Sequence, residues 1–127
     1  CFLAPENMTE EIRSYCRRTG QTEPQTTGEI AACIYHSLAE SYVATVKEIE
    51  HMTGKCYSRL HIVGGGSNAD YLNELTARET GKEIVIGPTE ATAIGNLAVQ
   101  MIKDGVFANL ENARECIGQS FDIRCIK

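Results

Sequence analysis

Two short apolar runs, each followed by glycine and then by a helical pattern, constrain the fold of this chain most. Leu60–Val63 ends at Gly64–Ser67, and Glu83–Ile86 ends at Gly87-Pro88. Apolar residues at helical spacing over residues 71–77 separate the two runs. The order strand, helix, strand predicts a parallel βαβ unit, which is right-handed in nearly all proteins. Because both runs are apolar throughout, we expect buried strands with helices on both faces of the sheet.

The first part of the chain carries clear helix start and stop signals. Thr9 is a plausible N-cap for a first helix that Gly20 ends. Thr26 and Glu29 form a capping box that opens a long helix ending at Gly54. That helix is long for a single modest domain, and two strands are too few for a stable parallel sheet. We therefore expect that this chain, which begins at Cys1 rather than Met, is a piece of a longer one.

The last part predicts two more helices. Thr89 is the expected N-cap of the first, with Glu90 in its first turn and Gly105 at its end. Residues 109–117 form the second helix, and residues 121–126 are a strand or a tail. Small residues at 91, 93 and 95 allow close packing. Glu90 therefore fits packing and capping better than catalysis.

Charge and cysteine usage exclude several classes of function. The chain has 17 acidic and 12 basic residues and a net charge of −5, without the basic face that nucleic-acid binding needs. No apolar run approaches the roughly 20 residues of a membrane helix, and no leader is visible. The six cysteines form no CxxC pair, which argues against a metal site and favours a reducing, cytoplasmic location. His36, His51 and His61 lack catalytic partners at any interpretable spacing.

The Gly64–Ser67 turn is the most informative local feature. Glycine lets a backbone adopt positive φ and lets a ligand approach without a Cβ in the way. A turn at the carboxyl end of a parallel strand is also where α/β sheets bind ligands. The alternative is a tight connection without a ligand. The turn is neither a GxGxxG fingerprint nor a Walker A loop.

Three segments together resemble the FGGY family of carbohydrate kinases. Val63–Ser67, followed by Tyr71–Leu75, is similar to the ATP-site turn of that family, and Gly87–Asn96 is similar to the small-residue helix after it. The opening Phe2–Met8 and the segment Ala98–Gln100 narrow the resemblance to members that act on L-rhamnulose. The resemblance covers nearly the whole chain.

The resemblance implies an α/β fragment of an actin-like (ribonuclease-H-like) ATPase domain, helix-rich with a parallel βαβ unit. Residues 1–127 would be the C-terminal part of the second, nucleotide-binding domain. The implied reaction transfers a phosphoryl group from ATP to L-rhamnulose with Mg²⁺. The turn would contact the adenosine end of ATP through these candidates: Gly64, Gly65, Gly66, Ser67 and Asn68. Where the family has an Asn near the adenine, this chain has Ala69, so either Asn68 or the backbone alone would hold the base.

The resemblance assigns no catalytic and no metal-binding residue to this chain, because the family's base, phosphate cradle and metal site lie upstream of the matching segments. We therefore expect the chain alone to be inactive and to self-associate through uncovered apolar surface. Two alternatives stay open. One is a family member acting on another sugar, such as xylulose or fuculose, and the other is a stand-alone helical and βαβ interaction module.

Cys16 and Cys33 form a candidate disulfide. Cys16 falls near the end of the first predicted helix and Cys33 in the second turn of the next. A short loop between two antiparallel helices brings the end of one beside the start of the other. The sulfurs could then bond if the Cα atoms lie within about 7 Å. The alternative is two reduced, packed thiols, as is usual in the cytoplasm.

Overall fold

A computed structural model describes residues 2–127, and Cys1 lies outside the described residues. The chain forms five helices and three strands within this range. The helices are α1 (Met8–Arg18), α2 (Thr27–Thr53), α3 (Asp70–Thr80), α4 (Ala91–Lys103) and α5 (Leu110–Ser120). The strands are β1 (Arg59–Ile62), β2 (Glu83–Ile86) and β3 (Arg124–Ile126), and a short 3₁₀ turn at Gly64–Asn68 is called the glycine segment below.

The three strands form one sheet in the order β1-β2-β3. β1 and β2 are parallel, with Leu60 beside Ile84, and α3 connects them. This confirms the predicted βαβ unit. β3 pairs with β2 in the antiparallel direction, with Cys125 opposite Val85, so part of the predicted segment 121–126 is a strand.

The prediction that both strands are buried is correct for β2 and wrong for β1. Ile84, Val85 and Ile86 are all buried. In β1 the side chains alternate between exposed and half-buried, and His61 is exposed. The reason is that β2 is the only strand paired with β1 among residues 2–127. Leu60 packs on the sheet core while the opposite face of β1 has no such cover.

Three small apolar clusters hold the elements together. The α1–α2 cluster contains Ile12, Cys16, Ile30 and Cys33; the α2–α3 cluster contains Tyr35, Ala39, Ala69, Leu72 and Leu75; the sheet cluster contains Leu60, Ile62, Ala77, Ile84, Ile86 and Ile126. α3 contributes to the second and the third clusters, so it lies between α2 and the sheet. This position places the first turn of α3 directly behind the glycine segment.

The helix boundaries follow most of the sequence signals. The capping box is confirmed, because the Glu29 N–H donates to Thr26 Oγ1 (3.2 Å) and the Thr26 N–H donates to the Glu29 carboxylate (3.1 Å). Gly54 and Gly81 end α2 and α3 with positive φ. None of the helices in residues 2–127 has the length and apolar character to cross a membrane.

Two predicted N-caps are wrong. Asn7, not Thr9, caps α1, because its Oδ1 accepts the Glu10 N–H at 3.1 Å. At α4 the N-cap position is Glu90, without a side-chain cap bond. Thr89 is one residue too early to cap this helix. Its hydroxyl lies 3.0 Å from Ser67 Oγ instead.

Candidate functional site

The glycine segment and the loop Gly87–Glu90 lie at the same edge of the sheet, because β1 and β2 are parallel and each loop follows its strand. Backbone hydrogen bonds join them directly. The Gly64 N–H donates to the Pro88 carbonyl (3.3 Å), and the Gly87 N–H donates to the Ile62 carbonyl (2.9 Å). Crevices at the carboxyl edge of parallel strands are the usual ligand sites of α/β sheets.

The glycines of the segment serve different purposes. Gly64 has φ +74°, a conformation that side-chain-bearing residues rarely adopt. Gly65 does not have positive φ, and a Cβ there would meet nothing within 4 Å. A Cβ at Gly66 would make only an ordinary contact with Ile62, at 3.8 Å. Within the glycine segment the fold therefore requires glycine only at position 64, and the exposed backbone at 65 and 66 is open to a ligand.

The other two predicted ATP-binding residues differ in exposure. Ser67 is only 2% exposed, and its hydroxyl donates to the Gly64 carbonyl at 2.7 Å. It supports the segment from beneath rather than presenting its side chain outward. Asn68 is exposed. Ala69 is half-buried and packs on the α2–α3 cluster, so the exposed amide lies at position 68 rather than 69.

Three residues that the sequence analysis did not assign also hold the site. Asn73 Nδ2 donates to the Ser67 carbonyl at 3.1 Å, and Thr89 bonds the Ser67 hydroxyl. Arg124 Nη2 lies 3.4 Å from the same carbonyl and 2.9 Å from Asp70 Oδ1. A signal for Asn73 exists, since positions 69, 72, 73 and 76 form one helical stripe that otherwise packs inward. No comparable pattern marks Thr89 or Arg124.

The predicted cysteine pair is brought together. Cys33 packs on the cluster that contains Cys16, and both are free thiols in the structure. Burial raises the pKa of the Cys33 thiol, and the neighbouring Cys16 raises it further. The loop between α1 and α2 is held by Arg13, which donates to the carbonyls of Pro24 and Gln25, both at 2.9 Å. The disulfide itself stays a prediction.

Two cavities flank the sheet. One of about 430 Å³ lies between α2, β1 and α3 and reaches Gly66 and Asn73. Another of about 650 Å³ lies at the opposite end of the strands, lined by charged residues. Those charges pair with other residues, as Arg59 does with Glu83 and Lys82 does with Glu50 (2.8 Å). The glycine segment remains the better candidate site, since other parts of the protein do not cover its exposed backbone.

Within residues 2–127, no three His, Cys, Asp or Glu side chains gather as a metal-binding group. His36, His51 and His61 are all exposed and lie on separate parts of α2 and β1.

A family model for the FGGY family of carbohydrate kinases, C-terminal domain, matches residues 2–103. The chain therefore belongs to this family, and its mixed α/β structure is a fragment of the actin-like, ribonuclease-H-like fold that the resemblance implied.

Three curated relatives illustrate the similarity. The rhamnulokinase of Bacillus subtilis is 48% identical over 123 residues, which cover 97% of this chain and 25% of the relative. That of Halalkalibacterium halodurans is 45% identical over 123 residues (97% and 26%), and that of Bacteroides thetaiotaomicron is 39% identical over 124 residues (98% and 26%). The chain thus spans about a quarter of the length of these relatives.

Proposed function

We propose that this chain forms the nucleotide-binding side of a sugar kinase that transfers the γ-phosphoryl group of ATP to L-rhamnulose. The products are L-rhamnulose 1-phosphate and ADP. The observation that carries the proposal is the exposed backbone of Gly65 and Gly66 at the carboxyl edge of two parallel strands, in a chain of the FGGY family. The similarity to three rhamnulokinases supports L-rhamnulose as the acceptor.

The residues of the site have different roles in binding adenosine. The backbone at Gly64, Gly65 and Gly66 lets the nucleotide approach closely, and the exposed amide of Asn68 bonds the base. Ser67 is buried, so it maintains the segment rather than touching the nucleotide through its side chain. As part of the second kinase domain, the chain would form one wall of the cleft between two lobes.

Phosphoryl transfer also needs a base or positioning carboxylate, a phosphate cradle and Mg²⁺. The family resemblance places these parts upstream of the matching segments, so we propose that the part of the full-length protein outside this chain supplies them. The isolated chain is then expected to bind nucleotide weakly and to transfer no phosphoryl group. Use of ATP as donor favours a cytoplasmic location.

The test measures ADP release by the full-length protein with ATP and, separately, L-rhamnulose, L-fuculose and D-xylulose. We expect the highest kcat/KM with L-rhamnulose and no turnover by the isolated chain. A higher value with another sugar would assign the protein to a different FGGY activity. No turnover with any sugar would favour the interaction module.

We further propose that the isolated chain self-associates. Apolar side chains on α4 and after it are between 50% and 64% exposed, namely Leu97, Val99, Val106 and Leu110. We propose these uncovered side chains as the contact surface, because large exposed apolar patches usually find a partner or aggregate. Sedimentation velocity across a dilution series should show a concentration-dependent increase in mass, and a single monomeric species at every dilution would contradict the proposal.

A further inference from the structure

Ser67 is the point at which the supports of the glycine segment converge. Its side chain is 2% exposed, and its hydroxyl contacts both the Gly64 carbonyl (2.7 Å) and the Thr89 hydroxyl (3.0 Å). Its carbonyl accepts from Asn73 Nδ2 (3.1 Å), while Arg124 lies slightly farther away (3.4 Å). Of these supports, Asn73 is the buried side chain that donates across six residues from α3.

The buried amide of Asn73 by itself lowers the stability of the fold. It is 1% exposed, and its Oδ1 is buried with no hydrogen-bond partner among the described residues. Rotating the amide would aim Oδ1 at the Ser67 carbonyl, so the bond to Ser67 fixes this orientation. A buried acceptor without a donor costs free energy that an apolar side chain of similar size would avoid. The hydrogen bond that the amide donates to Ser67 therefore accounts for its presence in the core.

We propose that Asn73 is a positioning residue for the nucleotide. By holding the Ser67 carbonyl inward, it keeps Gly65 and Gly66 at the surface in a single conformation before ATP arrives. Without that bond, ATP binding would have to order the segment, and this ordering reduces affinity. The inference rests on the proposed function, because it assumes that the segment binds ATP.

The test compares two isosteric variants of the full-length protein. Asn73→Leu removes the bond to Ser67. Thr76→Val is the matched control, because Thr76 is equally buried on the same helix and donates only to the Leu72 carbonyl, at 2.7 Å. We expect Asn73→Leu to raise KM for ATP about tenfold, as for one lost hydrogen bond, with kcat and KM for the sugar nearly unchanged. Thr76→Val should change thermal stability but leave KM for ATP as it is.

Thr89→Val keeps the test decisive if Asn73→Leu fails to fold, because Thr89 is exposed and its hydroxyl supports Ser67 from the other loop. It should raise KM for ATP by a smaller factor, about two- to threefold. The inference is overturned if Asn73→Leu folds and leaves KM for ATP unchanged, or raises it no more than Thr76→Val does. If Asn73→Leu does not fold, an unchanged KM in Thr89→Val overturns it. If the unmodified protein phosphorylates no sugar, the proposed function fails instead.

Discussion

The loop between α1 and α2 and the glycine segment after β1 are held by different kinds of bond. At the α1–α2 loop, charged side chains at the surface do the work, as when Arg17 pairs with Glu23 at 2.7 Å with about half of its side chain exposed. Beneath the glycine segment the bond from Asn73 is buried and the bond from Ser67 is part-buried. Exposed ion pairs contribute little to stability, whereas a buried polar bond permits few alternative geometries. The α1–α2 loop therefore serves as a connection, whereas the glycine segment is held in a single conformation.

The apolar clusters near the two regions should also differ in how much they stabilise the protein. We expect the sheet cluster to contribute more than the α1–α2 cluster. Ile84 is fully buried on the central strand, and Ile30 is 8% exposed at the α1–α2 cluster. We expect Ile84→Ala to destabilise the protein by about 4 kcal/mol and Ile30→Ala by about 2 kcal/mol. Chemical denaturation of the full-length variants measures both values. Equal losses would show that the α1–α2 cluster is as tightly packed as the sheet.

Oxidation should strengthen the α1–α2 region alone. A Cys16–Cys33 bond closes a loop of roughly 17 residues and would stabilise by about 3 kcal/mol in the chain-entropy model. Non-reducing peptide mapping after purification in air should find the linked peptides, and Cys33→Ser should abolish both the link and the stabilisation. Recovery of both residues alkylated would reject the bond and leave two packed thiols.

Substitutions at two neighbouring glycines distinguish an effect on ATP binding from an effect on stability. Gly65→Val should leave the fold intact, since its Cβ meets open space, but raise KM for ATP at least about tenfold by obstructing the nucleotide. Gly64→Ala forces a side chain into φ +74° and should cost about 1–2 kcal/mol of stability. Steady-state kinetics and thermal unfolding distinguish the two. An unchanged KM in folded Gly65→Val would make the segment purely structural.

The smallest effect concerns pH and the start of α2. The backbone N–H groups of Gln25 and Thr26 bond the Glu29 carboxylate and lower its pKa. Because the pKa is lower in the folded protein, this stabilisation is present above the ordinary carboxyl pKa and is lost as the pH falls through the folded value. Unfolding followed from neutral pH to about pH 3 should therefore be less pH-dependent in Glu29→Gln. An identical profile would show that the ionisation of Glu29 is not coupled to stability.

Local signals predicted most of the helices and strands. Each of these signals acts within a few residues, so a short stretch of sequence is enough to recognise it. They are the capping box, the glycines at 54 and 81 and the two apolar runs. The signals for Thr9 and Thr89 failed because several polar residues near a helix start can cap it. Backbone geometry selects among them.

The supports from Thr89 and Arg124 could not be predicted because they join distant parts of the chain. The bond from Arg124 to Ser67 spans 57 residues, and the contact from Thr89 spans 22. Each depends on strand order and register, which the apolar pattern of a single strand does not determine. The exposure of β1 has the same origin, because it depends on which strands pair beside it.

The long-range bond from Arg124 has a consequence for biosynthesis. A ribosome completes Ser67 well before it adds Arg124, and β2 gains its second neighbour only when β3 emerges. Any folding of the glycine segment that precedes the synthesis of Arg124 can therefore use the contacts to Asn73 and Thr89 but not the one to Arg124. β3 therefore brings both a second partner for β2 and the Arg124 contact to the glycine segment.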